Sequence, residues 1–214
     1  ANQCCQLNRT LVKVWIRRKR ILTTFHSKMK QVHFCIQLII IILTLPVAGF
    51  SQKINFLETS WQDSFNEWTI HTEGDSIEGK LFLTWELSND WTVWQMDLGA
   101  FNASLKLKYT NNPELWEFRS GNEIITAKTV WSNDYSEWRF TDGKSIIKLK
   151  SKYMGMPVIW FSEGEEHGYI DIFMEDEEDP NFWIIEDELD DNISLLYKSA
   201  LIFISIYHST PKIK

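Results

Sequence analysis

The sequence predicts a mainly β fold, a closed antiparallel barrel of about twelve strands enclosing a hydrophobic C-terminal helix. Three observations carry this. Between Ile54 and Asp187 short stretches alternate apolar and polar residues, the period-two signature of half-buried strands. Turn residues separate them at hairpin spacing, and no long helical pattern interrupts them. Finally, eleven of the fifteen residues from Ile193 to Tyr207 are apolar or aromatic, and they lie on all sides of any helix drawn through them. Such a helix must be enclosed by protein or by lipid. Fifteen residues with Lys198 inside make a short membrane span, so the reading is a helix buried by the rest of the chain.

The chain opens with residues 1–28, which carry Arg17-Arg18-Lys19-Arg20 and no acid. They read as sequence upstream of a start at Met29, or alternatively as the cytoplasmic tail of an uncleaved signal-anchor. Met29–Ser51 has the parts of a secretory signal peptide: a basic start at Lys30, an apolar core to Leu45, then Pro46-Val-Ala-Gly-Phe-Ser51. Cleavage after Ser51 would leave residues 52–214 as a single exported domain, periplasmic, cell-surface or secreted. All three cysteines (Cys4, Cys5, Cys35) precede that point, so the domain must be held by its core rather than by disulfides. Eight of the 22 Lys and Arg also precede it, leaving 14 against 29 Asp and Glu, a formal charge of −15. That balance repels nucleic acid and anionic headgroups at long range.

The strand-like stretches are Trp68–Ile70, Lys80–Leu87, Trp91–Trp94, Ser104–Tyr109, Leu115–Phe118, Ile124–Trp131, Glu137–Phe140, Ser145–Lys150, Val158–Phe161, Tyr169–Phe173 and Phe182–Ile185. With Ile54 onward, that is eleven or twelve strands, a number that suits a barrel or sandwich. Ten tryptophans are spread evenly through residues 52–214, mostly one per strand. Even spreading favours packing against whatever the barrel encloses, over an aromatic site for sugar or lipid. A faint echo relates Leu87-Ser-Asn-Asp-Trp91 to Trp131-Ser-Asn-Asp-Tyr135, 44 residues on. The helix is expected over about 192–207, with Asp190, Asp191 and Asn192 as cap residues and Pro211 beyond its end.

Successive Trp-bearing strands with Gly or Asn turns, the phrase Leu115-Trp-Glu-Phe-Arg119, and a final all-apolar helix resemble the tubby C-terminal-like superfamily, over about Leu57–Pro211. That resemblance implies a twelve-stranded barrel closed around a hydrophobic C-terminal helix. It implies no function for this chain. Tubby binds phosphoinositides through basic residues inside the cell, whereas residues 52–214 are acidic and follow a signal sequence. The scramblases of the superfamily use a cysteine-rich acylated segment that those residues lack.

Motifs for chemistry are sparse. Residues 163–191 hold fourteen acids, with Glu175-Asp-Glu-Glu-Asp179 as a run, but without the Asp and Gly spacing of a calcium loop. The run reads as a solvated turn closed by Pro180. His167, in Glu165-Glu-His-Gly168, reads as a surface residue without a second His beside it for zinc. Beyond Ser51 only His71, His167 and His208 remain, and no nucleophile motif or phosphate loop is visible. No catalytic, cofactor-binding or metal residue is therefore assigned, and no cofactor is expected. The functional expectation is an exported, monomeric, non-enzymatic binding or scaffold module of unknown protein or lipid partner. A lipocalin-like carrier of a small apolar ligand is the alternative, and a carboxylate-based hydrolase a more distant one.

Overall fold

The computed structural model describes residues 53–62, 64–75, 77–86, 90–153, 157–163 and 166–212. The predicted leader, signal peptide and start at Gln52 lie outside them. The chain divides into Ala1–Gly49 and Phe50–Lys214, and the described residues all belong to the second unit.

Its strands are β1 (Ile54–Trp61), β2 (Ser64–Thr72), β3 (Glu78–Leu83), β4 (Val93–Leu98), β5 (Phe101–Leu107) and β6 (Leu115–Ser120). They continue as β7 (Glu123–Trp131), β8 (Asp134–Thr141), β9 (Ile146–Ser151), β10 (Ile159–Glu163), β11 (Gly168–Met174) and β12 (Phe182–Leu189). Each pairs antiparallel with its neighbours in sequence, and β12 closes on β1 through Phe56↔Ile184, Leu57↔Trp183 and Glu58↔Phe182. The result is a closed twelve-stranded up-and-down barrel. Period-two patterning decides which face is inside: in β4, Trp94, Met96 and Leu98 are buried while Gln95 and Asp97 are exposed. Every predicted strand stretch overlaps one of β2–β12, although Lys80–Leu87 overruns the end of β3 at Leu83 and Trp91–Trp94 starts two residues before β4. β1 is not legible as alternation because register shifts at Ile54/Phe56 and Thr59/Trp61 break its period.

Helix α1 (Leu195–Ser209) follows β12, and every residue from Leu196 to Ile206 is buried. Its side chains meet strands all around the barrel. Phe203 packs on Trp94 of β4 and on Trp116 and Phe118 of β6. The Tyr197 hydroxyl donates to Phe140 O of β8 at 2.7 Å and accepts from Ile147 N of β9 at 3.1 Å. Lys198 reaches Asp187 of β12, and Ser209 accepts from Trp160 of β10. Partners on β4, β6, β8, β9, β10 and β12 put the helix inside the barrel. No helix among the described residues is long and apolar enough to cross a membrane.

The helix starts later and ends later than its composition predicts. Its N-cap is Ser194, not Asp190–Asn192: Ser194 is extended (φ −67°, ψ 156°), and its hydroxyl accepts from Tyr197 N at 3.2 Å. Asp190 instead closes a turn, its carbonyl accepting from Ile193 N at 3.0 Å. At the far end the Ser209 hydroxyl donates to Ser205 O at 2.6 Å and that of Thr210 to Ile206 O at 2.9 Å, so the last turn persists past Tyr207.

The polar side chains from Ser194 to Ser205 are satisfied, as burial requires. Ser194 caps the helix. Ser199 and Ser205 donate to the carbonyls of Leu195 and Leu201, four residues back, at 2.7 and 3.1 Å. Lys198 forms a 2.7 Å ion pair with Asp187, and both side chains are all but sealed from solvent at 2% and 3% exposure. The other oxygen of Asp187 accepts from Leu189 N at 3.1 Å.

Candidate functional site

The six buried tryptophans reveal how the barrel is assembled. Trp68, Trp94, Trp116, Trp138, Trp160 and Trp183 stand one on each even-numbered strand, separated by 26, 22, 22, 22 and 23 residues. The barrel is thus six consecutive hairpins of similar length. In five of them the indole Nε1 donates to the carbonyl three residues earlier: Phe65, Trp91, Tyr135, Pro157 and Pro180, at 2.9–3.1 Å. In each of these five the bond ties the start of the even-numbered strand, or the residues just before it, to the wall and satisfies a buried donor. Trp116 is the exception: its Nε1 has no hydrogen-bond partner, and its ring lies edge-on to Phe203 and Tyr207, with centroids 5.0 and 4.8 Å away.

Four of these tryptophans meet the C-terminal end of the helix. Trp94 and Trp116 meet Tyr207, Trp138 meets His208, and Trp160 meets Ser209. Since neighbouring strands run antiparallel, the odd-numbered strands all end at this same pole. There a second set of aromatics stands. Trp61, Trp85, Tyr109, Trp131 and Tyr153 lie at or just beyond the ends of β1, β3, β5, β7 and β9, and are 47–65% exposed. Three of them visibly continue an every-second-residue series of inner positions one step past the barrel wall: Leu81, Leu83, Trp85; Leu105, Leu107, Tyr109; Leu149, Ser151, Tyr153. The even spread of tryptophan along the sequence therefore has two causes. Six of the ten are buried inside the barrel wall, four of them against the helix, whereas Trp61, Trp85 and Trp131 are presented to solvent.

The sixth hairpin breaks the pattern. At its rim stand Glu175–Asp179, all exposed, within the turn between β11 and β12. Asp176 accepts from Glu178 N and Asp179 from Asn181 N, both at 3.0 Å, which shapes the turn. Carboxylates also accompany the aromatics: Glu86 follows Trp85, and Trp131 Nε1 donates to Glu137 at 3.2 Å. Among the described residues no three His, Cys, Asp or Glu side chains converge as metal ligands.

Between the fifth hairpin and the end of the helix lies a cleft of about 250 Å3, lined by Tyr135, Ser151, Tyr153, Pro157, Trp160 and His208. His208 lies face-on to Tyr135 and tilted against Trp138, each 5.0 Å away between centroids. The ring keeps some solvent contact, but Nε2 is buried without a hydrogen-bond partner. Burial, reinforced by the nearby Lys212 ammonium, lowers its pKa to about 3. Nothing in the linear order of residues signals this environment, since it depends on which side chains the barrel places around the helix terminus. Burial likewise pushes the Tyr207 hydroxyl up to about 12.

A pH dependence of stability results. Above the unfolded-state value near 6.5, His208 is neutral in both states and adds no pH dependence. As pH falls from there towards 3, the unfolded chain takes up a proton that the folded one refuses, so stability is lost. The loss approaches about 1.4 kcal/mol per pH unit in the middle of that window. Urea unfolding of the wild type and His208→Gln between pH 7 and pH 4 should show the variant losing less stability; parallel curves would refute the assignment.

At the opposite pole a cleft of about 380 Å3 is lined by Asn122, Glu123, Asp142, Lys144, Asn192 and Tyr197, among others. It adjoins the start of the helix, where the Ser194 hydroxyl donates to the Glu123 carboxylate. The remaining histidines stand apart from both clefts. His71 stacks on Phe56, 4.1 Å between centroids, and lies 3.1 Å from Glu58. His167 is partly exposed in its turn, and its carbonyl accepts from Asp190 N at 3.0 Å, which holds that turn against the chain leaving β12.

No family model matches the chain, and neither a curated protein nor a solved structure does.

Proposed function

We propose that this protein is an exported, non-enzymatic binding module that engages its partner through the aromatic rim. The supporting observation is the recurrence of an exposed Trp or Tyr at the equivalent place of five of six hairpins, on one pole. Core packing does not need them there, and exposed aromatics gathered on one surface mark interaction sites. The carrier alternative needs an open lumen. In this barrel eleven successive buried helix residues occupy the interior, which favours a surface over a cavity. Export rests on the Met29–Ser51 pattern, and mass spectrometry of the exported protein should find a start near Gln52. Recovery of a membrane-bound chain still containing Trp15 would argue for the signal-anchor instead.

The rim is tested with Trp61→Ser, Trp85→Ser and Trp131→Ser combined. The expected melting temperature is close to that of the wild type, since these side chains are exposed. Wild type and variant would be screened by fluorescence against neutral and anionic vesicles, soluble glycans, and acidic and basic peptides. At least one class should bind the wild type and lose affinity for the variant. Binding indifferent to the variant would reject the rim as the site.

A further inference from the structure

We propose that the rim is a docking surface for a lysine- and arginine-rich segment of another protein. This rests on the rim being the binding surface, and adds the chemistry of what it binds. Aromatic rings attract cations over their faces, and a carboxylate beside the ring adds its own Coulomb attraction. The molecule already makes such contacts at this pole with its own ammonium groups. Lys212 Nζ lies 3.9 Å from the Tyr207 ring centroid, and Lys152 Nζ lies 5.5 Å from that of Tyr153.

The charge around the aromatics selects the partner. Glu175–Asp179 fills the sixth place in the ring with five exposed carboxylates, and Glu86 and Glu137 adjoin Trp85 and Trp131. A second copy would bring the same acids face to face, within a domain already at −15 from Gln52 onward. A bilayer would take the aromatics at its headgroup level but gains nothing from the carboxylates, and an anionic one is repelled. A neutral glycan would stack on the rings and leave the acids unmatched. A basic segment matches both.

The spacing also suits an extended peptide. Successive rim positions are two strands apart, roughly 10 Å given a strand separation of about 4.8 Å. An extended chain advancing about 3.3 Å per residue meets the next aromatic every third or fourth residue. About seven residues thus reach three rim positions, and about ten reach four.

The probe is a fluorescent ten-residue peptide of alternating arginine and serine, titrated into the exported domain by anisotropy. Indole N–H resonances of the protein are followed by NMR. Saturable binding that weakens with salt is expected, with the indole signals of Trp61, Trp85 and Trp131 shifting and those of the six buried tryptophans unmoved. The combined Trp→Ser variant should bind roughly ten- to a hundredfold more weakly. Independently, Glu175→Ser, Asp176→Ser, Glu177→Ser and Glu178→Ser together should weaken binding and flatten its salt dependence. Equal affinity in the Trp→Ser variant, or unmoved rim indoles, would mean mere attraction to an acidic protein and would overturn the proposal. If the peptide fails while neutral vesicles or a glycan bind and shift the same indoles, the basic partner is wrong and the rim still stands as the binding surface.

Discussion

Leu201→Asp or Phe203→Asp is expected to leave the protein without a cooperative unfolding transition. Neither side chain has solvent to turn towards, because α1 is buried on every face from Leu196 to Ile206. Phe203 in particular is boxed by Trp94, Trp116, Phe118 and Tyr207. Removing such a side chain costs about 2–5 kcal/mol, and leaving an unpaired polar or ionised group in its place costs several more. Together these match the whole stability of an ordinary domain, about 5–15 kcal/mol. Near-ultraviolet circular dichroism reads the result, since Trp94 and Trp116 pack directly on Phe203 and six tryptophans are buried in the barrel. Deleting everything after Asp191 should be at least as damaging, because the inner rows of the barrel would then face water. A soluble truncated protein with a native-like tertiary signal and cooperative melting would show that the barrel does not depend on its helix.

The second large effect concerns the buried ion pair. Lys198→Met should cost about 3–5 kcal/mol, because it strands the Asp187 carboxylate in a site with 3% exposure. Adding Asp187→Asn should return most of that loss. The amide carries no charge, and its oxygen can still accept from Leu189 N as the carboxylate does. Urea unfolding of the two single variants and the double variant measures the coupling directly. A cost below about 1 kcal/mol for Lys198→Met alone would show that Asp187 finds water or another donor. The pair is half legible in the sequence. A lysine in an all-apolar helix demands a partner, but fourteen acids crowd residues 163–191 and only the register of β12 against α1 selects one.

The strands are legible because alternation is local: a residue's face depends on its immediate neighbours, and turn residues mark where the count restarts. β1 escapes because two register shifts spoil its count within eight residues. The six-hairpin repeat shows in the sequence only as the echo between Leu87–Trp91 and Trp131–Tyr135, which is two hairpins long. Loop lengths vary the spacing from 22 to 26 residues, and the shared element is a single indole whose bond to a backbone carbonyl three residues earlier leaves no other sequence constraint. The rim is the least legible feature. Trp61 and Trp68 are both tryptophans in strands, and only closure of the barrel makes the first a surface and the second a wall. His208 is hidden for the same reason, since its neighbours Tyr135 and Trp138 lie far upstream in the chain.

The order of elements along the chain has a kinetic meaning. Nearly every strand pairs with the strand just made, so the hairpins can form one after another with short loop closures. Two events cannot: β1 must find β12, and α1 must enter the space between them. Loop closure over such a separation costs only a little more entropy than a short one. The difficulty is exposure during the wait. A chain synthesised from its amino end presents six hairpins, each with a tryptophan on its inner face, before the helix that covers them arrives. Until Ser209 emerges the nascent sheet has one apolar surface and two open edges, the state in which strands from different molecules join. The helix is therefore a latch as much as a core, and the speed with which it engages sets how long the unfinished barrel can be captured by its neighbours.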